Sequence, residues 1–138
     1  MADVIQGRKI VGGRVRGEAL VSHEDICFLN VDTSAGVITE QGHELEGVSF
    51  AGKIIVFPTG KGSTGGSYAL YDLGRHQAAP AGIINLRAEP VTAIGAIMAN
   101  IPMIDRAGDD PTAAIRTGDH VELDADRGTA VITRRDGG

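Results

Sequence analysis

The sequence predicts a single α/β domain, rich in strands and built on a mixed sheet. Its patterns run in the order strands, then strand, glycine loop, helix, strand and helix, then a closing hairpin. Its 138 residues suffice for one core, and no repeat, low-complexity segment or linker divides them, so residues 1–138 read as one domain. Twenty glycines beside 42% hydrophobic residues and no tryptophan imply many turns around a core of Ala, Ile and Val.

Arg8 to Val15 and Gly17 to Val21 are β-branched runs broken by Gly12, Gly13 and Gly17, which predicts a strand, a turn or bulge, and a second strand. Asp25 to Leu29 is apolar enough for a third. Polar residues and glycine dominate Asn30 to Gly47, a long surface loop of the kind that often carries function, with Val37 and Ile38 pairing briefly. Lys53 to Phe57 is the strongest strand, a continuous apolar run suited to burial on both faces. The segment Thr59 to Ser67 is a glycine loop, and Tyr68 to Leu73 follows with helical spacing. Ala81 to Leu86 returns as a strand. Pro90 suits the first position of a helix running to about Asn100, apolar nearly all round, so that more than one of its faces needs cover. Met103 and Ile104 suggest a short strand. The end of the chain reads as a hairpin, His120 to Asp124 and Thr129 to Thr133 joined through Arg127-Gly128, with Arg134 to Gly138 a frayed polar tail.

Composition excludes several functions. Thirteen Lys and Arg against 18 Asp and Glu leave a net charge of −5, which opposes nucleic-acid binding because phosphate neutralisation needs clustered cations. The segment Met1 to Ile10 has no apolar stretch of the about 7–15 residues a signal peptide requires, and Pro90 to Ile104 falls short of the about 20 a membrane span requires. A single cysteine, Cys27, forms no internal disulfide and supplies only one of the about four ligands a zinc or iron–sulfur site takes. A cytoplasmic protein without a metal site of its own is expected.

The candidate site is Gly60-Lys61-Gly62-Ser63-Thr64-Gly65-Gly66-Ser67. Successive glycines let the backbone approach a ligand, and the helix that follows presents unpaired N–H groups and a partial positive charge to an anion. Lys61 adds a full charge, and the hydroxyls of Ser63, Thr64 and Ser67 are donors. The same residues also suit a plain helix cap, but the number of free donors at a helix start favours the anion. The loop is not a P-loop, because Gly62 separates Lys61 from Ser63. Gly60, Gly62 and Gly65 do match the dinucleotide pattern, but mid-chain, with too little sequence following to build that fold.

The remaining candidates read as structural. His23, His43, His76 and His120 show no metal-ligand spacing and are expected on the surface or hydrogen-bonded. Asp109-Asp110 before Pro111 suits a turn, and Cys27 in an apolar run suits a buried core thiol. No Ser-His-Asp triad is assignable.

Three blocks then identify a family resemblance: Phe57 to Tyr68, Ala79 to Ile84, and Glu89 to Asp105, with Gly17 to Ser22 and Ser49 to Lys53 in keeping. Together they resemble the small subunit, or swivel domain, of the aconitase X family over about Gly17 to Gly128. The resemblance implies a swivelling β/β/α domain, similar to the mobile domain of aconitase, that closes over an active site built mainly by a large subunit. That partner is expected to hold an iron–sulfur cluster or metal, with none bound by this chain alone. Family members dehydrate small hydroxy acids, bacterial ones cis-3-hydroxy-L-proline and archaeal ones mevalonate 5-phosphate. The family's proton-accepting serine falls on Ser63.

On that reading Ser63 abstracts the proton, Lys61 and the backbone of Gly62 to Gly66 hold charge, and Ser67 or Thr64 positions the loop or substrate. A serine hydroxyl is a poor base and needs strong electrostatic help, which a helix N-terminus supplies. Where many members have Gly-Gly-Val-Asp-Pro, this chain has Leu29-Asn-Val-Asp-Thr33, which bears on substrate choice or partner contact. Few lysines and abundant Ala, Gly and Arg favour the hydroxyproline substrate, with phosphomevalonate the alternative. Two readings of other classes stand beside these: a non-catalytic anion-binding module, and an oligomer-forming domain resting on the apolar Val91 to Ile101 helix.

Overall fold

The structure, a computed structural model, describes residues 2–134. Strands β1 (Ala2–Gln6), β2 (Arg8–Val11) and β3 (Arg14–Val21) are followed by the small hairpin β4 (Val31–Asp32) and β5 (Val37–Ile38). Then β6 (Ile54–Phe57), α1 (Gly65–Arg75), β7 (Gly82–Asn85), α2 (Pro90–Ala99) and β8 (Met103–Asp105) alternate, before α3 (Pro111–Ala114), β9 (His120–Asp124) and β10 (Thr129–Thr133).

Eight strands join in the order β1-β10-β9-β3-β6-β7-β8-β2. Strands β3, β6, β7 and β8 are parallel, while β1, β10 and β9 on one side and β2 on the other are antiparallel to their neighbours. Strand β3 serves both halves: Arg14–Glu18 pairs with β9 and Ala19–Val21 with β6.

The period-2 alternation of β6 sorts two cores. Ile55 and Phe57 face the helices with Leu70, Leu73, Ala96, Ile83 and Met103. Ile54 and Val56 face the other way, toward Val121, Leu123, Ala130 and Ile132 of the antiparallel strands. The result is three layers, antiparallel strands, parallel strands and helices, which is the β/β/α arrangement expected. Phe28 packs edge-on against both Phe50 and Phe57, with ring centroids 5.8 and 5.9 Å apart, and seals the helix-side core under the long loop.

Several expectations are corrected. The first break falls at Gly12-Gly13, where Gly13 has φ +130°, so Val15 and Gly17 both lie inside β3. Asp25 to Leu29 is no strand: it makes one bridge, Ile26 to Gly60, because Cys27 turns the chain by accepting from the Asn30 amide at 3.0 Å. Strand β1 went unpredicted, its partner β10 lying at the far end of the chain. Cys27 is only half-buried. Arg134 is not frayed, since its guanidinium bonds the Asp119 carboxylate and the Ala114 carbonyl, whereas residues 135–138 lie outside the described residues. His43, by contrast, is hydrogen-bonded as expected: it is buried, with Nε2 donating to the Asp25 carbonyl and Nδ1 accepting from the Leu45 amide, each at 3.0 Å. Among the described residues no helix is long and apolar enough to cross a membrane.

The ends of the parallel strands are held by a buried carboxylate. Asp105 accepts from Arg8 Nε and Nη2 at 2.9 Å each and from the Ala88 amide at 2.9 Å. Burial pushes this carboxyl up, but the bonds from Arg8 and Ala88 prevail and hold it below the usual range. A group with a lowered folded pKa stabilises above its unfolded value, about pH 3.9, and loses that contribution as pH falls through the folded one. The Asp105→Asn variant is therefore expected to unfold with about 1–3 kcal/mol less free energy at pH 7, and to lose less stability than the parent below about pH 4, both read from urea titrations.

Candidate functional site

The parallel strands end on one rim, and the rim is laced by backbone. The Pro58 carbonyl accepts from the Leu86 and Arg87 amides at 3.0 and 3.1 Å, and the Leu86 carbonyl accepts from the Arg106 amide at 3.0 Å. Ligands in open α/β sheets bind outside such strand ends. The glycine loop departs from this rim at Pro58.

Its first residues are tied to the neighbouring chain. The Ile26 amide donates to the Thr59 carbonyl at 3.2 Å, and the Lys61 amide donates back to the Ile26 carbonyl at 3.0 Å. Gly60 lies directly against Thr92 Oγ1 and Glu89 Oε1, leaving no room for a side chain. That same Glu89 carboxylate caps α2, accepting from the Val91 and Thr92 amides and the Thr92 hydroxyl. Gly62 has φ +107°, and a β-carbon there would stand 2.6 Å from Cys27 Sγ.

Past Gly62 the loop opens to solvent. Ser63 and Thr64 are exposed, and Thr64, at the N-cap of α1, has helical backbone angles and makes no side-chain cap bond. Among the described residues neither hydroxyl has a protein partner, nor do the amides of Gly62, Ser63 and Thr64; the turn is closed by Gly66 N to the Ser63 carbonyl at 3.0 Å and Ser67 N to the Thr64 carbonyl at 3.2 Å. Side-chain capping, the plain reading of this segment, is thus not what these hydroxyls do. Free donors gather at the positive end of α1, which is the arrangement that holds an anion.

The other predicted residues divide. Gly65 and Gly66 begin α1 against Leu29 and Val91. Ser67 is buried, and its hydroxyl donates 2.6 Å to the Val91 carbonyl, which ties α1 to α2 and leaves it unavailable to solvent. Lys61 does not stand free: Nζ meets Glu40 Oε2 at 2.8 Å, a bond that holds the ammonium above its usual pKa and the Glu40 carboxyl below its own.

Glu40 and Cys27 are the neighbours that sequence reasoning missed. Glu40 lies in the long loop already marked for function by its length, but its pairing with Lys61 crosses 21 positions without a local signal. Asn85 was also missed: fully buried at the end of β7, it donates to the Phe57 carbonyl at 3.0 Å while its Oδ1 is without a partner among the described residues. Asp32, in the segment that departs from the family pattern, accepts from the amide and hydroxyl of Ser34 and so closes the β4–β5 turn. A concavity of about 540 Å³ lies elsewhere, on the outer face of β3, β9 and β10 among Arg14, Arg16, Asp124 and Arg127, and shares no residue with the loop.

Fold and site together define a three-layer swivel-type domain that presents an exposed serine at a helix N-terminus. The Aconitase X swivel domain profile matches residues 4–132, and the chain belongs to that family. A Methanocella arvoryzae protein named phosphomevalonate dehydratase small subunit is 47% identical over 125 residues, covering 90% of this chain and 95% of the relative. The Thermococcus kodakarensis protein of the same name is 46% identical over 129 residues, covering 93% and 95%. The fold superimposes on the crystal structure of Thermococcus kodakaraensis aconitase X in its holo-form with a TM-score of 0.91 at 44% identity, over 96% of this chain and 99% of that one.

The loop geometry is testable through its glycines. Gly42, φ +81° with nothing near its β-position, reports the backbone cost of alanine alone, expected at about 1–2 kcal/mol. Gly62→Ala adds the clash with Cys27 and is expected to cost more, with the excess recovered in the Gly62→Ala/Cys27→Ala double variant, measured by denaturant unfolding.

Proposed function

We propose that this chain is the small subunit of a phosphomevalonate dehydratase, contributing the proton-accepting half of a site completed by a large subunit. The observation that carries the proposal is identity of 47% over nearly the whole length of a relative bearing that name. It favours the phosphomevalonate substrate over hydroxyproline, to which composition alone had pointed. Amino-acid usage reports on a genome and a surface, whereas the substrate is chosen by the few groups that touch it.

Dehydration removes a proton from the carbon beside the carboxylate and hydroxide from its neighbour, leaving a double bond and water. Ser63 Oγ takes the proton, which requires the serine to be an alkoxide beforehand. The amides of Gly62, Ser63 and Thr64 and the N-terminus of α1 stabilise that anion through fixed dipoles. Lys61, neutralised by Glu40, holds the loop to the 39–47 segment and adds little net potential. Thr64 offers the second free hydroxyl, for substrate.

An iron–sulfur cluster or metal, the group expected to draw off the hydroxide, finds no donor set here. Cys27 is the sole cysteine, and among the described residues no three His, Cys, Asp or Glu side chains converge. That half of the chemistry is assigned to the large subunit.

Reconstituted with its large subunit, the chain is expected to support loss of water from mevalonate 5-phosphate and not from cis-3-hydroxy-L-proline, and to be inert alone. Ser63→Ala is expected to lower kcat by about 10²–10⁴-fold with the complex still formed. Near-normal turnover in that variant overturns the role of Ser63.

A further inference from the structure

The two helices pack closely and leave their outer side bare. They run in register, Gly66 against Val91, Leu70 against Gly95 and Gly74 against Ala99, with a β-carbon at Gly95 only 2.7 Å from the Leu70 side chain. Gly66, Ser67, Leu70 and Leu73 of α1, with Thr92 and Ala96 of α2, are turned inward. On the solvent side stand Tyr68 (69% exposed), Tyr71, Ile94 (51%), Ile97 (59%) and Met98. Helix α2 carries no charged residue between Pro90 and Ala99. A solvated helix face is normally charged or polar, so this one is built to be covered. Tyrosine, isoleucine and methionine form the composition of an interface core, although α1 also carries the partly exposed Asp72 and the exposed Arg75 one turn beyond the two tyrosines.

The patch continues to the candidate site. Tyr68 lies one turn beyond Thr64, and the exposed Leu29 side chain approaches to 3.0 Å from the β-position of Gly65. Any chain that supplies the missing half of a site at Ser63 must stand over the start of α1, where the exposed Tyr68 and Leu29 border this surface.

We infer that the outer face of α1 and α2, centred on Tyr68, Ile94 and Ile97, is where the large subunit docks. The inference rests on the function proposed above and adds which surface meets the partner. The large subunit is expected to offer an apolar face of its own, with acceptors at its edge for the two tyrosine hydroxyls. Anchoring beside the loop, not through it, leaves Ser63 free to reach substrate.

The test is a titration of the large subunit with the wild-type chain and with Ile94→Glu and Ile97→Glu, both exposed positions whose thermal unfolding is expected to match wild type. Each is expected to weaken association at least tenfold, while saturating amounts of either variant restore wild-type turnover because the serine loop is untouched. Val4→Glu, an equally exposed apolar position (68%) on β1, is the control and is expected to bind as wild type. If wild type associates and both variants do so within twofold of it, the docking face is overturned and the proposed function stands. If wild type does not associate, both fall. A homodimer of the isolated chain that Ile97→Glu dissolves, with association to the large subunit unaffected, assigns the face to a second copy and overturns the inference.

Discussion

Asp105 is a carboxylate taken wholly out of water at the end of a parallel strand, and the arrangement of the whole rim follows from how that cost is met. An isolated buried carboxylate is several kcal/mol out of balance, and only a paired and fully hydrogen-bonded one is tolerated. Here the two Arg8 bonds come from β2 and the third from the Ala88 amide in the turn after β7, so the requirement draws three distant segments to one point. Pro58, the stem of the glycine loop, is bonded to the same turn through Leu86 and Arg87. The loop therefore begins from a fixed origin, and its mobile-looking glycines act over only a few residues.

The electrostatics of the loop resolve an apparent conflict with the composition. A chain of net charge −5 is a poor host for an anion if the attraction must come from side-chain cations, and the one lysine of the loop is already paired. Backbone dipoles carry no net charge. An electropositive point can sit on an acidic protein when it is made of amides at a helix start, and its strength does not change with pH across the physiological range. Lys61 and Glu40 then serve as a clasp between two loops.

Much of the fold was legible because the signals are local. The run Lys53 to Phe57 declared a strand buried on both faces, the hairpin His120 to Thr133 was framed by alternation and Gly128, and Pro90 marked the first turn of α2. Asp25 to Leu29 misled because Ile26 and Phe28 alternate inward for packing, not for a ladder. The glycine loop with its hydroxyls at Ser63, Thr64 and Ser67 was legible in the same way, as composition confined to a few residues, whereas the choice of Ser63 among them came from the family resemblance. What surrounds them was not: Glu40 against Lys61, Cys27 under Gly62 and the unpartnered Asn85 oxygen are products of tertiary approach, which no spacing in one sequence encodes. The apolar character of α2 was read correctly, but which part of it faces the core depended on where α1 came to rest.

The pairing of β1 with β10 carries a consequence for the order of folding. Ala2 to Gln6 align with Thr133 to Thr129, so among the described residues β1 has β10 as its one neighbour, across nearly the whole domain in sequence. The parallel strands β3, β6, β7 and β8 and helices α1 and α2 pair and pack over shorter separations and can assemble first. Until β10 is in place, Val4 and Ile5 form an unpaired edge. The sheet closes only when that long-range pairing forms, and until then its edge is open to pairing with another chain.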